Sequence, residues 1–349
     1  MKLLKYSVIS LSLLGLYAVI VTSVGADKLA YQTIFKPLPP VTEVTPDSRE
    51  NAMVSLGERL YFETALSLDN DLSCNSCHKL DAFGVDNEKT SPGHKGQRGG
   101  RNSPTVYNSA LNIAQFWDGR AADVEAQALG PILNPIEMAM PDEAAVLARL
   151  VSSDVVGGNY PQLFAKAFPE EKEPLTYKNV GAAIGAFERT LLTPSAFDDY
   201  LMGDESALTA EEQKGLQRFV ETGCVACHAG VGIGGGMYQK LGLVVPYESA
   251  DQGRYDVTKT EADRHVFKVP SLRNIVKTSP YFHDGSIATL EEAVKLMGKH
   301  QLGKDLSDAE INEIVVFLGA LTGRIPLRAS TESAGCAADT SECSAEVSP

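Results

Sequence analysis

Cys74-Asn75-Ser76-Cys77-His78 and Cys224-Val225-Ala226-Cys227-His228 are two copies of one pentapeptide, C-x-x-C-H. That spacing is the attachment signature of a c-type haem. Two thiols three residues apart lie on one face of a helical turn and reach the two vinyl groups of one porphyrin. The histidine that follows falls beneath the iron as its proximal ligand. A thioredoxin-like dithiol uses the same C-x-x-C, but here histidine follows both times. Two covalent haems give a protein that can store two electrons.

The chain has 349 residues, a length that suggests about two domains. An apolar share of 44% is ordinary for a globular protein. Four of the six cysteines sit in the haem motifs; Cys336 and Cys343 lie near the C-terminus. The formal charge is −14, which argues against a nucleic-acid partner. It suits a basic redox partner steered by the field, and equally an acidic surface that only keeps the protein soluble.

The first residues read as an export segment. Lys2 and Lys5 precede an uncharged run from Tyr6 to Ala26, and Val24-Gly25-Ala26 is a small-residue cleavage site. The run is also about as long as the ~20 residues that span a bilayer, so an uncleaved membrane anchor is the rival reading. Ser7, Ser10, Ser12 and Ser23 favour cleavage. Either way the body faces the periplasm, where c-type haem is attached and cysteines meet an oxidising compartment.

Beyond a Pro-punctuated lead-in over residues 27–46, the pattern is mainly α-helical, with little β. Ser307 and Glu310 have capping-box spacing and open a helix over Asp308–Leu321, with Ile311, Ile314, Val315, Leu318 and Leu321 on one apolar stripe. Thr209 with Glu212, and Thr289 with Glu292, mark two further helix starts. Residues 229–260 are Gly-rich and loop-like, with room for a short hairpin. An internal repeat runs through the chain. CNSCH, Arg101-Asn102-Ser103-Pro104 and Phe116-Trp117-Asp118-Gly119 are followed by CVACH, Pro270-Ser271-Leu272-Arg273-Asn274 and Tyr281-Phe282-His283-Asp284-Gly285. The expected architecture is two cytochrome-c-like domains, each around one haem. The segment 1–26 is the signal or anchor, 27–190 the first haem domain, 191–323 the second, and 324–349 a disordered tail.

The far side of each iron decides what the haems do. An electron carrier has both axial positions filled, and methionine opposite histidine raises its potential. A haem that reacts with peroxide needs an openable position with an acid–base group above it. His94, in the Gly-rich Ser91–Gly96 loop, reads as a removable ligand of the first iron or as a solvated loop histidine. His283 alone reads as a core histidine. His265 and His300 carry no supporting context. For the second iron the candidates are Met237, after three glycines, and Met297, on a capped helix. Glu137, in Asn134-Pro135-Ile136-Glu137-Met138, is aimed into a pocket or solvated. Met138 or Met140 as a first-iron ligand would make both haems plain carriers.

Over nearly all of residues 45–323 the chain resembles the bacterial dihaem cytochrome c peroxidases. The stretches that carry the likeness are LGERLYFETALS (56–67), GHKGQRGGRNSPT (93–105), FWDGR (116–120), EAQALGPILNPIEM (125–138), VPSLRN (269–274), TSPYFHDG (278–285) and LMGKHQLG (296–303), around the two haem motifs. The resemblance implies that His94 is the displaceable distal ligand of the first haem and Glu137 the acid–base of peroxide cleavage. It implies that Gln127 lines the same pocket and that Trp117 lies on the electron route between the haems. Met297 becomes the distal ligand of the second haem. Calcium is expected between the domains, on Asn102 and backbone oxygens of Thr278 and Pro280, oxygen donors of the right kind.

The function implied is reduction of hydrogen peroxide to water, with electrons from a small cytochrome c or cupredoxin. Homodimers are common in the family. Two other classes stand beside it. A pure electron carrier would keep both haems six-coordinate. A dihaem oxidase of a protein substrate, as in methylamine utilisation, places tyrosine opposite the second haem. The segment 1–26 and the tail with Cys336 and Cys343 lie outside the resemblance.

Overall fold

The computed structural model describes residues 31–40, 48–155 and 158–326. The export or anchor segment and the two tail cysteines lie outside the described residues. Among the described residues no helix is long and apolar enough to cross a membrane.

The chain is mainly helical, with two short two-stranded ribbons. Its apolar side chains form two clusters. The first draws on residues from Val54 to Leu191, the second on residues from Phe197 to Leu321 together with Phe35. In each half the core is set by one close helix crossing. Helix Arg49–Phe62 packs on helix Tyr177–Glu188, and Gly57 permits it: a Cβ there would lie 1.8 Å from the Ala183 carbonyl oxygen. Helix Ala210–Thr222 packs on helix Asp308–Gly319, where a Cβ on Gly215 would lie 2.2 Å from the Glu313 carbonyl oxygen. Aromatic edges lock both crossings, Tyr61 on Phe187 at 5.4 Å and Phe219 against Phe317 at 5.4 Å.

The capping boxes at Ser307/Glu310 and Thr209/Glu212 form as expected. Thr289 caps helix Leu290–Leu302 through the Glu292 N–H. The last helix stops at Gly319, two residues short of the apolar stripe, and Leu321 reaches the core from a turn. The Gly-rich stretch supplies one strand, Tyr238–Lys240. Its antiparallel partner is Val266–Lys268, so the ribbon closes over a longer excursion than a hairpin.

Two segments sit apart from the expected division. The lead-in packs on the second core: Phe35 is fully buried, edge-on to Phe197 at 5.3 Å, and the Leu38 N–H donates to Asp198. The start of the tail is held as well. Arg324 N–H donates to the Pro194 carbonyl, and Ile325 packs against the first core. These two described segments therefore each pack on the half opposite to their place in the sequence.

The repeat is visible in the backbone at one constant offset. Asn108 and Asn274 both take positive φ (60° and 62°) and both open a short 3-10 turn. Phe116 and Phe282 follow at 64° and 69°, then Gly119 and Gly285 at 68° and 61°. The bridges Gln115–Ala121 and Tyr281–Ile287 close the two corners. This register pairs Pro104 with Pro270, Asn102 with Lys268 and Trp117 with His283. The halves meet about a pseudo-twofold axis. Asn102 N–H donates to the His283 carbonyl and Lys268 N–H donates to the Trp117 carbonyl, each at 2.8 Å. The side chains of Asn108 and Asn274 both donate to the Thr193 hydroxyl, at 2.8 and 2.9 Å. Thr193 is wholly buried.

Candidate functional site

Each C-x-x-C-H folds as a helical turn, Cys74–Cys77 and Cys224–Ala226, which sets the two sulfurs and the histidine side by side. His78 Nδ1 lies 3.0 Å from the Pro104 carbonyl oxygen. His228 Nδ1 lies 3.3 Å from the Ile233 carbonyl, and Pro270 also hydrogen-bonds the ring. A carbonyl only accepts, so in both rings Nδ1 carries the proton and Nε2 is left for a metal. Burial keeps both rings neutral, pushing His228 down to about 4 and His78 in the same direction. The thiols are pushed the other way, Cys74 to about 12 and Cys77 and Cys224 to about 11, chiefly by burial. A redox dithiol has a depressed pKa, so the raised values speak against that use of the pair.

The second motif opens on a largely apolar cavity of about 240 Å³. A buried water needs only roughly 10–15 Å³ of such space, and interiors are otherwise close-packed. Cys224, Cys227, His228 and Met297 all line it. Met237 instead stands one residue before the ribbon strand, where its carbonyl accepts from the Val269 N–H. The donor set, the neutral histidine and the cavity together fit a covalently attached haem.

The first motif has different neighbours. His94 is 7% exposed, and its segment is tied down rather than loose. His94 N–H donates to the Glu137 carbonyl at 2.7 Å, and Gly93 N–H to Gln97 at 2.8 Å. Gly93 lies so close that a Cβ would be 2.1 Å from the Ile136 carbonyl oxygen. His94 Nδ1 faces Asp69 at 3.4 Å, again leaving Nε2. Glu137 is half-buried in the turn that ends helix Val124–Leu133, with Asn134 hydrogen-bonded to its carboxyl. Burial raises its pKa, against the pull of Arg120 and Asn134. Its charge contributes to raising the Cys77 thiol of the first motif, after burial and Asp86. Gln127 is half-buried on the same helix; among the described residues no hydrogen bond joins its side chain to Glu137. Met138 and Met140 are 4% and 2% exposed and belong to the first core cluster.

Between the motifs runs a short chain of contacts. Trp117 lines the second cavity, and its Nε1–H donates to the Asn102 carbonyl at 2.9 Å. Two residues on, Pro104 meets the His78 ring. Arg101 grips Asp118 at 2.6 Å and Asp251 at 2.7 Å, pinning the Trp117 corner to the second half. The Asn102 side chain donates to the carbonyls of Glu88 and Lys89, so Oδ1 is its remaining polar atom. Thr278 and Pro280 line the same cavity as Asn102. Asn87 Nδ2 brackets Thr278, donating to the carbonyls of Lys277 and Ser279. An amide oxygen and main-chain carbonyls are the kind of donor a hard cation takes.

The remaining histidines are structural. His283 lies on Phe267 at 4.4 Å and bonds Ser249; His265 and His300 bond the carbonyls of Asp251 and Val245. Sequence reading passed over Thr193, Asp198, Arg273 and Lys268. Asp198 and Arg273 form a doubly hydrogen-bonded pair (2.9 Å each), both at most 1% exposed.

Residues 51–206 match a family model described as di-haem cytochrome c peroxidase. The chain is 46% identical over 328 residues to a cytochrome c551 peroxidase of Nitrosomonas europaea, covering 93% of both chains. It is 44% identical to a cytochrome c551 peroxidase of Pseudomonas aeruginosa, over 86% of this chain and 89% of that one. Among solved structures, a MauG-like protein associated with microbial copper homeostasis aligns with a TM-score of 0.69 at 29% identity, over 83% of this chain and 94% of that one.

Proposed function

The chain belongs to the di-haem cytochrome c peroxidase family, and on that premise we propose how its two unlike sites share one reaction. It is an oxidoreductase acting on hydrogen peroxide, and it carries two c-type haems. Peroxide takes up two electrons and two protons and leaves as two waters. The electrons come from a small cytochrome c or a cupredoxin. The export-like first residues and the haem motifs support a periplasmic setting. The two apolar clusters support a division into a first haem domain ending near residue 190 and a second over 191–323.

When bound, each haem supplies an iron that gains and loses one electron and, at the first site, a position where peroxide can sit. Cys74 and Cys77 would hold the first haem and His78 would be a ligand to its iron; Cys224, Cys227 and His228 would do the same for the second. Met297, in the same cavity, would be a second protein ligand there, a donor that raises the potential and suits an electron store. Trp117, bonded to Asn102, carries the route toward His78. His94 would be the removable ligand of the first site, leaving it open when it withdraws. Glu137 would serve there as the acid–base, moving a proton from one peroxide oxygen to the other so that the leaving oxygen departs as water. Gln127 lines the same pocket. Calcium on Asn102 Oδ1 and the Thr278 and Pro280 carbonyls joins the halves at this route. The observation that carries the reading is the His94–Glu137 backbone bond beside the first motif, set against Met297 in the apolar cavity of the second.

Glu137→Ala tests the activity. General acid–base help is worth roughly 10²–10⁴-fold, so turnover should fall by that much with both haem spectra intact. Survival of about half the rate, far above that range, would remove Glu137 from the reaction. One-electron reduction with and without calcium tests the gate. The first haem should lose His94 only when calcium is present; the same loss in chelator sinks the calcium assignment.

A further inference from the structure

Lys268 is a buried cation that the polypeptide does not neutralise. It is 6% exposed, at the end of strand Val266–Lys268, and lines the cavity shared with Cys224, Cys227, His228 and Met297. Among the described residues no carboxylate or carbonyl accepts from its ammonium, and the only influence on its titration is burial, which lowers it to about 8. An unpaired charge in such a place is costly unless an anion joins it. The walls of the cavity offer none. The haem tethered by Cys224 and Cys227 brings two carboxylates of its own.

We infer that Lys268 is a haem-binding residue whose ammonium receives a propionate carboxylate of the second haem. The repeat supports this independently. Lys268 stands two residues before Pro270, which bonds the His228 ring, as Asn102 stands two residues before Pro104, which bonds the His78 ring. Each haem thus has a cation-supplying position at the same place in its unit. In the second unit the charge is built in. In the first, the neutral Asn102 holds a charge only when calcium is bound. Lys268 also donates its backbone N–H to Trp117 at 2.8 Å, so one residue fixes both the haem carboxylate and the start of the route to the first site.

The inference rests on the two-haem reading above, and its test is separable from peroxide turnover. The holoprotein is titrated spectroelectrochemically in Lys268→Met, Lys268→Gln and Lys268→Arg forms. Loss of the cation leaves a bare carboxylate near the iron and disfavours the added electron. The second haem's reduction equilibrium should fall about tenfold in Lys268→Met, which is about 59 mV for one electron. Lys268→Gln should follow it, and Lys268→Arg should keep most of the wild-type potential. The propionate bending band in resonance Raman should move with the potential. If Lys268→Met does not accumulate, the Gln and Arg forms decide the matter. An unchanged potential on charge removal, or an equal fall in Lys268→Arg, overturns the assignment. A potential shift in a protein without peroxidase activity would keep the lysine's role and refute the proposed reaction. Full peroxidase activity with no shift would do the reverse.

Discussion

Trp117 and His283 occupy equivalent places in the two halves and face each other edge-on, ring centroids 6.4 Å apart at 74°. Their carbonyls accept the equivalent bonds from Lys268 and Asn102. The symmetric frame is kept while its contents differ: an indole bonded to the Asn102 carbonyl, and an imidazole resting on Phe267.

Trp117→Phe keeps a ring at this junction and removes the N–H that bonds Asn102. Electron flow from the second haem to the first should slow, while each haem keeps its own spectrum. Rapid mixing of the half-reduced protein with peroxide measures it. The lost hydrogen bond should lower stability by about 1 kcal/mol. Unaltered electron flow would take Trp117 off the route.

Gly93→Ala forces a methyl against the Ile136 carbonyl, 2.1 Å from where it would stand. The segment must lift from the Glu137 turn, breaking the bond between them. Overpacking of this kind costs about 1–3 kcal/mol, readable as a lower Tm. Turnover should fall as well, and the oxidised first haem should lose part of its six-coordinate signal. Wild-type coordination with wild-type turnover would show that the two residues are not coupled through this contact.

Asp198→Asn breaks the buried pair with Arg273. It also weakens the acceptor that holds the Leu38 N–H and the start of helix Ala196–Met202. Leaving Arg273 unpaired should cost about 3–5 kcal/mol in chemical denaturation. Burial alone would raise the Asp198 pKa, but the Arg273 hydrogen bonds and charge outweigh it and lower it. The pair's stabilisation is therefore present above the usual carboxylate range and lost in acid, as pH falls through the depressed value.

Glu188 gives the opposite sign. It is 6% exposed, and burial, then the Glu125 charge, raise it from 4.5 to about 8 against Arg189. The folded protein holds a proton there that the unfolded chain has released. Stability should fall with rising pH between 4.5 and about 8 and level off above it. The slope from this one group is at most about 1.4 kcal/mol per pH unit. Glu188→Gln should flatten that part of the Tm–pH curve; an unchanged curve would mean Glu188 is already ionised in the fold.

The haem motifs were legible because attachment chemistry dictates both residue type and spacing. The capped helices were legible for a similar reason, since a cap is a local bond between residues three apart. The repeat was legible in order but not in register. The register lies in positive-φ corners and main-chain bonds, which constrain backbone more than side chain. Lys268 was missed because a lysine in Val-Phe-Lys-Val reads as the solvated face of a strand. Its environment is made by a cofactor and by residues far along the chain. Thr193, in a short linker, has no local mark at all; its role comes from two asparagines that meet there only in three dimensions. His94 was expected on a loose loop because glycines surround it, yet those glycines let the loop lie flat on its neighbour.

The pseudo-twofold contact has the form of an isologous dimer interface within one chain: residue pairs repeat across the axis with partners exchanged. That is the surface a single cytochrome unit would use to pair with its own copy. Within one chain each copy is free to differ from the other. Asn102 and Lys268, and Trp117 and His283, are where a homodimer's obligatory equality has been given up, and with it the need for both haems to do the same work.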